Sequence, residues 1–435
     1  MARGVAASRV SCMGELAMRC RDALLMSLFG ATFATGAAAD PVTDAFTAPD
    51  ATLSKAVESL GAQVERGDAD ARTRFAHALA VFFRSGERGV QQLYEYGAGQ
   101  PVRAGSIMMF RGMMQAGRNE DPKKVTPEDV RRIMRNWLAD LHDADELLAA
   151  VPADGDWKLR LDMAEIQIDF NGDGQAARQE EAARAFAIVF RDGVNLPDDQ
   201  RSFVLGLDAT DLHWLRAYND VLMALGEIML AYDNREIFNR CAHLFFPRAH
   251  TPYPFLQQRR PFDPTGMEID VSDVLAFVGS LEFPLADDGA ERMSRARQHL
   301  LNAIGHSRDM WKSARAETDD DREWLPAPHQ SPAMRGVELG EPQVRMWLDL
   351  LDEAEALLKG EKLLRFWRGD GSQGIDVRAF FEEPRAFNVL YWVQGSAAKP
   401  YLVPVEDRPV TRDELWADMQ DTFGDDLFRS LFYIN

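Results

Sequence analysis

Oxygen-bearing side chains recur in the segment DFNGDGQAARQE, residues 169–180, at a spacing that could close around a hard divalent cation. Asp169, Asn171 and Asp173 stand at every second position, Gly174 follows where a tight turn needs conformational freedom, and Glu180 closes the segment. A second concentration of acids lies in ETDDDREW, where Glu317, Asp319, Asp320, Asp321 and Glu323 fall within seven residues. So much like charge must be relieved by water, by Arg315 and Arg322, or by a second cation. Two of these acids could instead serve as general acid and base, with Trp311 and Trp324 as sugar-stacking platforms. Other reactive types are sparser. His299 and His306 are seven apart on one expected helix, a wider spacing than metal-binding pairs on helices use, and read as surface or core histidines. His213 and Asp211 open another helix with no nucleophile nearby. Cys241, two residues before His243, reads as a buried, inert thiol.

The first segment resembles the twelve-residue EF-hand calcium loop at every position that chemistry dictates. The resemblance implies that Asp169, Asn171 and Asp173 ligate through their side chains, Gln175 through its backbone carbonyl, and Glu180 through both carboxylate oxygens. Ala177 at position nine implies a water ligand. Three carboxylates around Ca2+ leave a net charge near −1. Position eight is Ala176, where paired hands carry a branched aliphatic residue, and no second loop occurs in the chain. A solitary hand of this kind implies a structural ion of modest affinity that ties two helices together. It does not imply a switch.

The elements that must position these residues are mostly helical. Leu53, Val57 and Leu60, then Phe75, Leu79, Phe82 and Phe83, recur at helical spacing, with Gly67, Asp68 and Gly86 as punctuation. In helix length and small residues this stretch resembles tetratricopeptide-type repeats, with no second copy at a fixed period. Pro127 and Glu128 open a helix that stops before Pro152. Trp157, Leu161, Ala164 and Ile168 share a helical face leading into Asp169, although Trp157, Leu159, Leu161 and Met163 also alternate as in a strand. Asp208 and Asp211 cap a long buried helix over Leu212–Tyr232. Further helices are predicted over 271–278, 291–311 and 344–358, and Phe387–Val393 reads as a strand. The fold class is therefore mainly α, a helical bundle or short helical-repeat scaffold with a small β element near the C-terminus. GDGSQG at 369–374 matches a dinucleotide fingerprint only formally, since no parallel-sheet pattern precedes it.

Residues 1–39 read as a signal peptide: Arg19 and Arg21 precede an apolar run over 23–33, and Ala37, Ala38 and Ala39 offer a cleavage site. The expected location is periplasmic or secreted. Removing these residues takes away four arginines against Glu15 and Asp22, deepening the net charge of −20 by two. Such a polyanion repels phosphate, which excludes nucleic acid as a partner and favours divalent cations or another protein. Cys12 and Cys20 leave with the signal, so Cys241 has no disulfide partner and stability must come from core packing. A Pro-rich stretch from Pro247 to Pro264 sets the expected boundary between helical domains at 40–246 and 265–435. The sequence thus reads as an exported calcium-binding helical scaffold, the alternative being a glycan-acting hydrolase built on residues 317–323.

Overall fold

The computed structural model describes residues 40–99, 118–174, 180, 202–258, 271–320, 322–333, 339–412, 415–423 and 434. The signal peptide reading therefore lies outside the described residues, as do Gln175, Ala176, Ala177 and Asp321.

The chain is mainly helical with a few small sheets. Among the described residues the α-helices are α1 (Pro41–Thr47), α2 (Leu53–Glu65), α3 (Ala71–Glu95), α4 (Pro127–Ala149), α5 (Ala209–Ala231), α6 (Arg235–Cys241), α7 (Val271–Gly279), α8 (Gly289–Ala316), α9 (Glu341–Lys359), α10 (Val377–Glu382), α11 (Val389–Gln394) and α12 (Leu415–Phe423). Among the described residues no helix is long and apolar enough to cross a membrane.

Caps fix where the helices begin. Thr52 accepts from the Lys55 N–H (3.3 Å) and Asp70 from the Thr73 N–H (2.8 Å), while Thr126 with Asp129 and Asp208 with Asp211 form reciprocal capping boxes. Gly86 does not break α3: the helix runs through it, and the space around its Cα is open.

Strand β1 (Leu159–Asp162) pairs antiparallel with β2 (Val204–Leu207), Leu159 opposite Leu207 and Asp162 opposite Val204. The segment leading into Asp169 is thus strand and turn, not the expected helix. The two-residue alternation won because Leu159, Leu161 and Met163 are all buried in the main core, where a helix would have turned one of them to solvent. That core joins α2 and α3 to the hairpin, to Leu212 and Trp214 of α5, to Met310 and Trp311 of α8, and to Val344 and Trp347 of α9.

Residues 42–435 form one compact unit. The expected boundary at 247–264 falls between α5 and α8, which pack along one another. Glu227 of α5, buried, is gripped by Arg292 at 2.7 Å and Arg295 at 2.6 Å from α8. The backbones approach closely at the start of α8, where a Cβ on Gly289 would stand 2.5 Å from the carbonyl oxygen of Ala231.

Near the C-terminus, β4 (Leu364–Arg365), β5 (Gln373–Ile375) and β7 (Leu402–Pro404) form a small antiparallel sheet, while β6 (Phe387–Asn388) pairs with β3 (Glu282–Phe283). The strand predicted over 387–393 ends at Asn388. Its side chain accepts from the Tyr391 N–H (3.1 Å) and so caps α11, which Gly395 terminates at φ +100°.

Candidate functional site

The loop after β1 is built from its own carboxylates. Asp169 accepts from the backbone N–H groups of Gly172 (2.6 Å) and Gly174 (3.0 Å), and the Asn171 side chain accepts from the Asp173 N–H (2.8 Å). Gly172 and Gly174 take φ of +76° and +71°, which an L side chain adopts only under strain. Glu180, 1% exposed, folds back over the loop's start: its carbonyl accepts from the Ile168 N–H (2.8 Å) and its Oε1 from the Phe170 N–H (3.2 Å). Asp169, Asn171, Asp173 and Glu180 are therefore drawn into one segment by local hydrogen bonds, while the Gln175 carbonyl lies outside the described residues.

Helix α3 supports this loop through residues that the sequence reading missed. Glu87 Oε1 accepts from the Asp169 N–H (2.8 Å), and the Gln91 amide donates to the Asp169 carbonyl (2.6 Å), so the first loop residue is held from both sides of its backbone. Tyr94 completes the row at i, i+4, i+7. Burial, with Asp173 and Glu180 nearby, pushes its hydroxyl pKa up. Glu87 is itself buried. Desolvation raises its pKa even though Arg84 pairs with it at 2.6 Å. The helical spacing of Glu87, Gln91 and Tyr94 on one face was the available signal.

A cavity of about 310 Å³ adjoins the loop, lined by Phe75, Phe82, Phe170, Trp214, Tyr218 and Trp324 among others. Its wall is apolar apart from Ser85, Glu87 and Asp211.

In the acidic segment 317–323, Asp319, Asp320 and Arg322 are exposed, yet the segment is tied down by its acids: Glu317 accepts from the Thr210 hydroxyl at the start of α5 and from Gln330 (2.9 Å), Asp319 pairs with Lys158 before the hairpin, and Asp320 accepts from the backbone N–H (2.7 Å) and hydroxyl (2.8 Å) of Ser331. Arg322, at φ +65°, turns the chain so that its carbonyl accepts from the Gly206 N–H (3.3 Å) beside β2. Carboxylate oxygens of Asp208, Glu317 and Glu323 converge within 4.8 Å. Burial, with Glu317 beside it, pushes Asp208 up to about 6, and burial with Asp208 adjacent holds Asp211 far above the ordinary carboxylate range. Trp311, 1% exposed, is a core residue, whereas Trp324, 4% exposed, lines the cavity with Trp214.

The histidines are not scattered. His299 Nδ1 lies 2.8 Å from Oδ1 of Asp220 on α5, and His306 Nε2 lies 3.7 Å from its Oδ2. His142 of α4 packs its ring on His299, centroids 5.5 Å apart. Burial, with Arg216 nearby, depresses His306 to about 4, and burial lowers His213 as well. Cys241 is buried, as expected, and its thiol is pushed up to about 11 by burial.

Comparison of the chain with protein-family models, curated proteins and solved structures finds no match. Function must therefore be argued from these sites.

Proposed function

We propose that this is an exported calcium-binding scaffold protein. Asp169, Asn171, Asp173, the Gln175 carbonyl and Glu180 hold the ion, and its role is to lock the loop onto α3. The observation that carries this reading is the placement of Glu180. The twelfth residue is folded back until its carboxylate meets the backbone N–H of the second, the closure that a bidentate ligand requires. Both glycines already occupy the turn conformation, so the described first half of the loop has the shape an ion would require. Because the incoming flank is strand and turn, calcium on this reading joins the β1–β2 hairpin to α3 through Glu87 and Gln91, not one helix to another. A mainly helical scaffold suits a protein partner, and the acidic balance disfavours nucleic acid.

Calcium titration by calorimetry tests this. Glu180→Gln is expected to weaken affinity at least about tenfold, roughly 1.4 kcal/mol, and to reduce the calcium-dependent rise in melting temperature to match. Glu181→Gln, one residue past the ligand position, should leave both unchanged. Equal affinities for wild type and Glu180→Gln would defeat the assignment.

A further inference from the structure

We propose that His213, His306 and Asp309 form a second metal site, for a first-row transition ion of the zinc class, in the seam between α5 and α8. One ligand atom from each lies within 4.8 Å of the other two. Bonds of about 2.0–2.2 Å from a shared ion bring ligand atoms to roughly 3–4 Å apart, so the side chains need only a small closure. His306 and Asp309 are three residues apart on α8 and therefore share a face. His213 faces them from α5, whose register against α8 is fixed by Glu227 between Arg292 and Arg295.

The surroundings suit a metal better than a purely structural histidine pair. Nδ1 of His213 is sealed from solvent and has no hydrogen-bond partner, a cost that native interiors seldom leave uncompensated. Asp220, 1% exposed and held by His299, places a carboxylate beside His306, and such carboxylates commonly back metal-bound histidines; the Arg216 guanidinium nearby opposes it. Asp309 is exposed, so an ion has a path in and a position open to water. Two imidazoles and one carboxylate make a borderline donor set that discriminates against Ca2+, which takes oxygen ligands throughout. The site is thus distinct from the loop at 169–180 and does not depend on that loop binding calcium.

The test uses the full chain with calcium present in excess. Titration with Zn2+ is expected to show one tight equivalent, and Co2+ in its place should give visible d–d absorption bands. His213→Asn and Asp309→Asn should each weaken Zn2+ binding at least about a hundredfold. His250→Asn, at an exposed histidine elsewhere, should change nothing, and Glu180→Gln should leave Zn2+ binding intact. Asp309 is exposed, so its variant is expected to fold even if His213→Asn does not. No uptake of Zn2+ by the wild type would overturn the proposal, as would unchanged affinity in Asp309→Asn or displacement of Zn2+ by excess Ca2+.

Discussion

Asp208 does two opposed things. Its side chain accepts from the Thr210 N–H (2.8 Å) and so starts α5, yet burial and Glu317 penalise its charge. With a folded pKa of about 6 against an ordinary 3.8, the native chain binds this proton more tightly than the unfolded chain does. Its contribution to stability is therefore full below pH ~4 and is lost as pH rises through ~6. Asp208→Asn retains an oxygen to cap the helix but carries no charge. It should be more stable than wild type by about 1–3 kcal/mol at pH 7.5, with the gap closing below pH ~4. Denaturant titrations of both proteins across that range would measure it, and a gap that does not vary with pH would show that repulsion is not the cause. At this scale the sequence was legible where chemistry is local: the spacing of Asp169, Asn171, Asp173 and Glu180 could be read directly. The meeting of Asp208 with Glu317, or of His306 with His213, could not, because those pairs are made by helix packing and leave no mark in either segment alone.

The α5–α8 pair shows how two elements settle on one register. The Glu227 carboxylate takes Arg292 and Arg295 at once, and Gly289 admits the carbonyl of Ala231 where any side chain would collide. Glu227→Ala would leave Arg292 with Asp288 alone and Arg295 without its buried partner, and should cost about 1–3 kcal/mol. Gly289→Ala forces the helices apart at one end and should cost about 1–3 kcal/mol. Urea unfolding of each variant gives these values; a loss under ~0.5 kcal/mol at Glu227 would mean that apolar packing alone sets the register. Element type was legible where periodicity ran long, as in α4, α5 and α8. It failed over 157–168, where the same apolar residues fit either period and burial of Leu159, Leu161 and Met163 decided, and at 389–394, where a cap at Asn388 and a glycine stop at Gly395 outweigh the strand propensity of the residues between them.

At the scale of the whole molecule, the main core gathers residues from Val42 to Ile434 into one cluster, and helices from both sides of the Pro-rich stretch contribute to it. Residues 42–435 are expected to unfold as one cooperative unit. Circular dichroism and tryptophan fluorescence should give coincident melting curves, whereas two separated transitions would show that the halves fold independently. Within residues 40–435 the only thiol is that of Cys241, at the end of α6, raised to about 11 and sealed from solvent. A thiol-specific reagent cannot reach it until that region opens, and the buried thiol yields little thiolate in the meantime. The chain therefore carries its own single-site clock. The rate at which Cys241 is labelled in native buffer reads the frequency of local opening around α6 without any introduced probe, and addition of calcium or zinc should slow that clock only if ion binding is felt as far away as this corner of the fold.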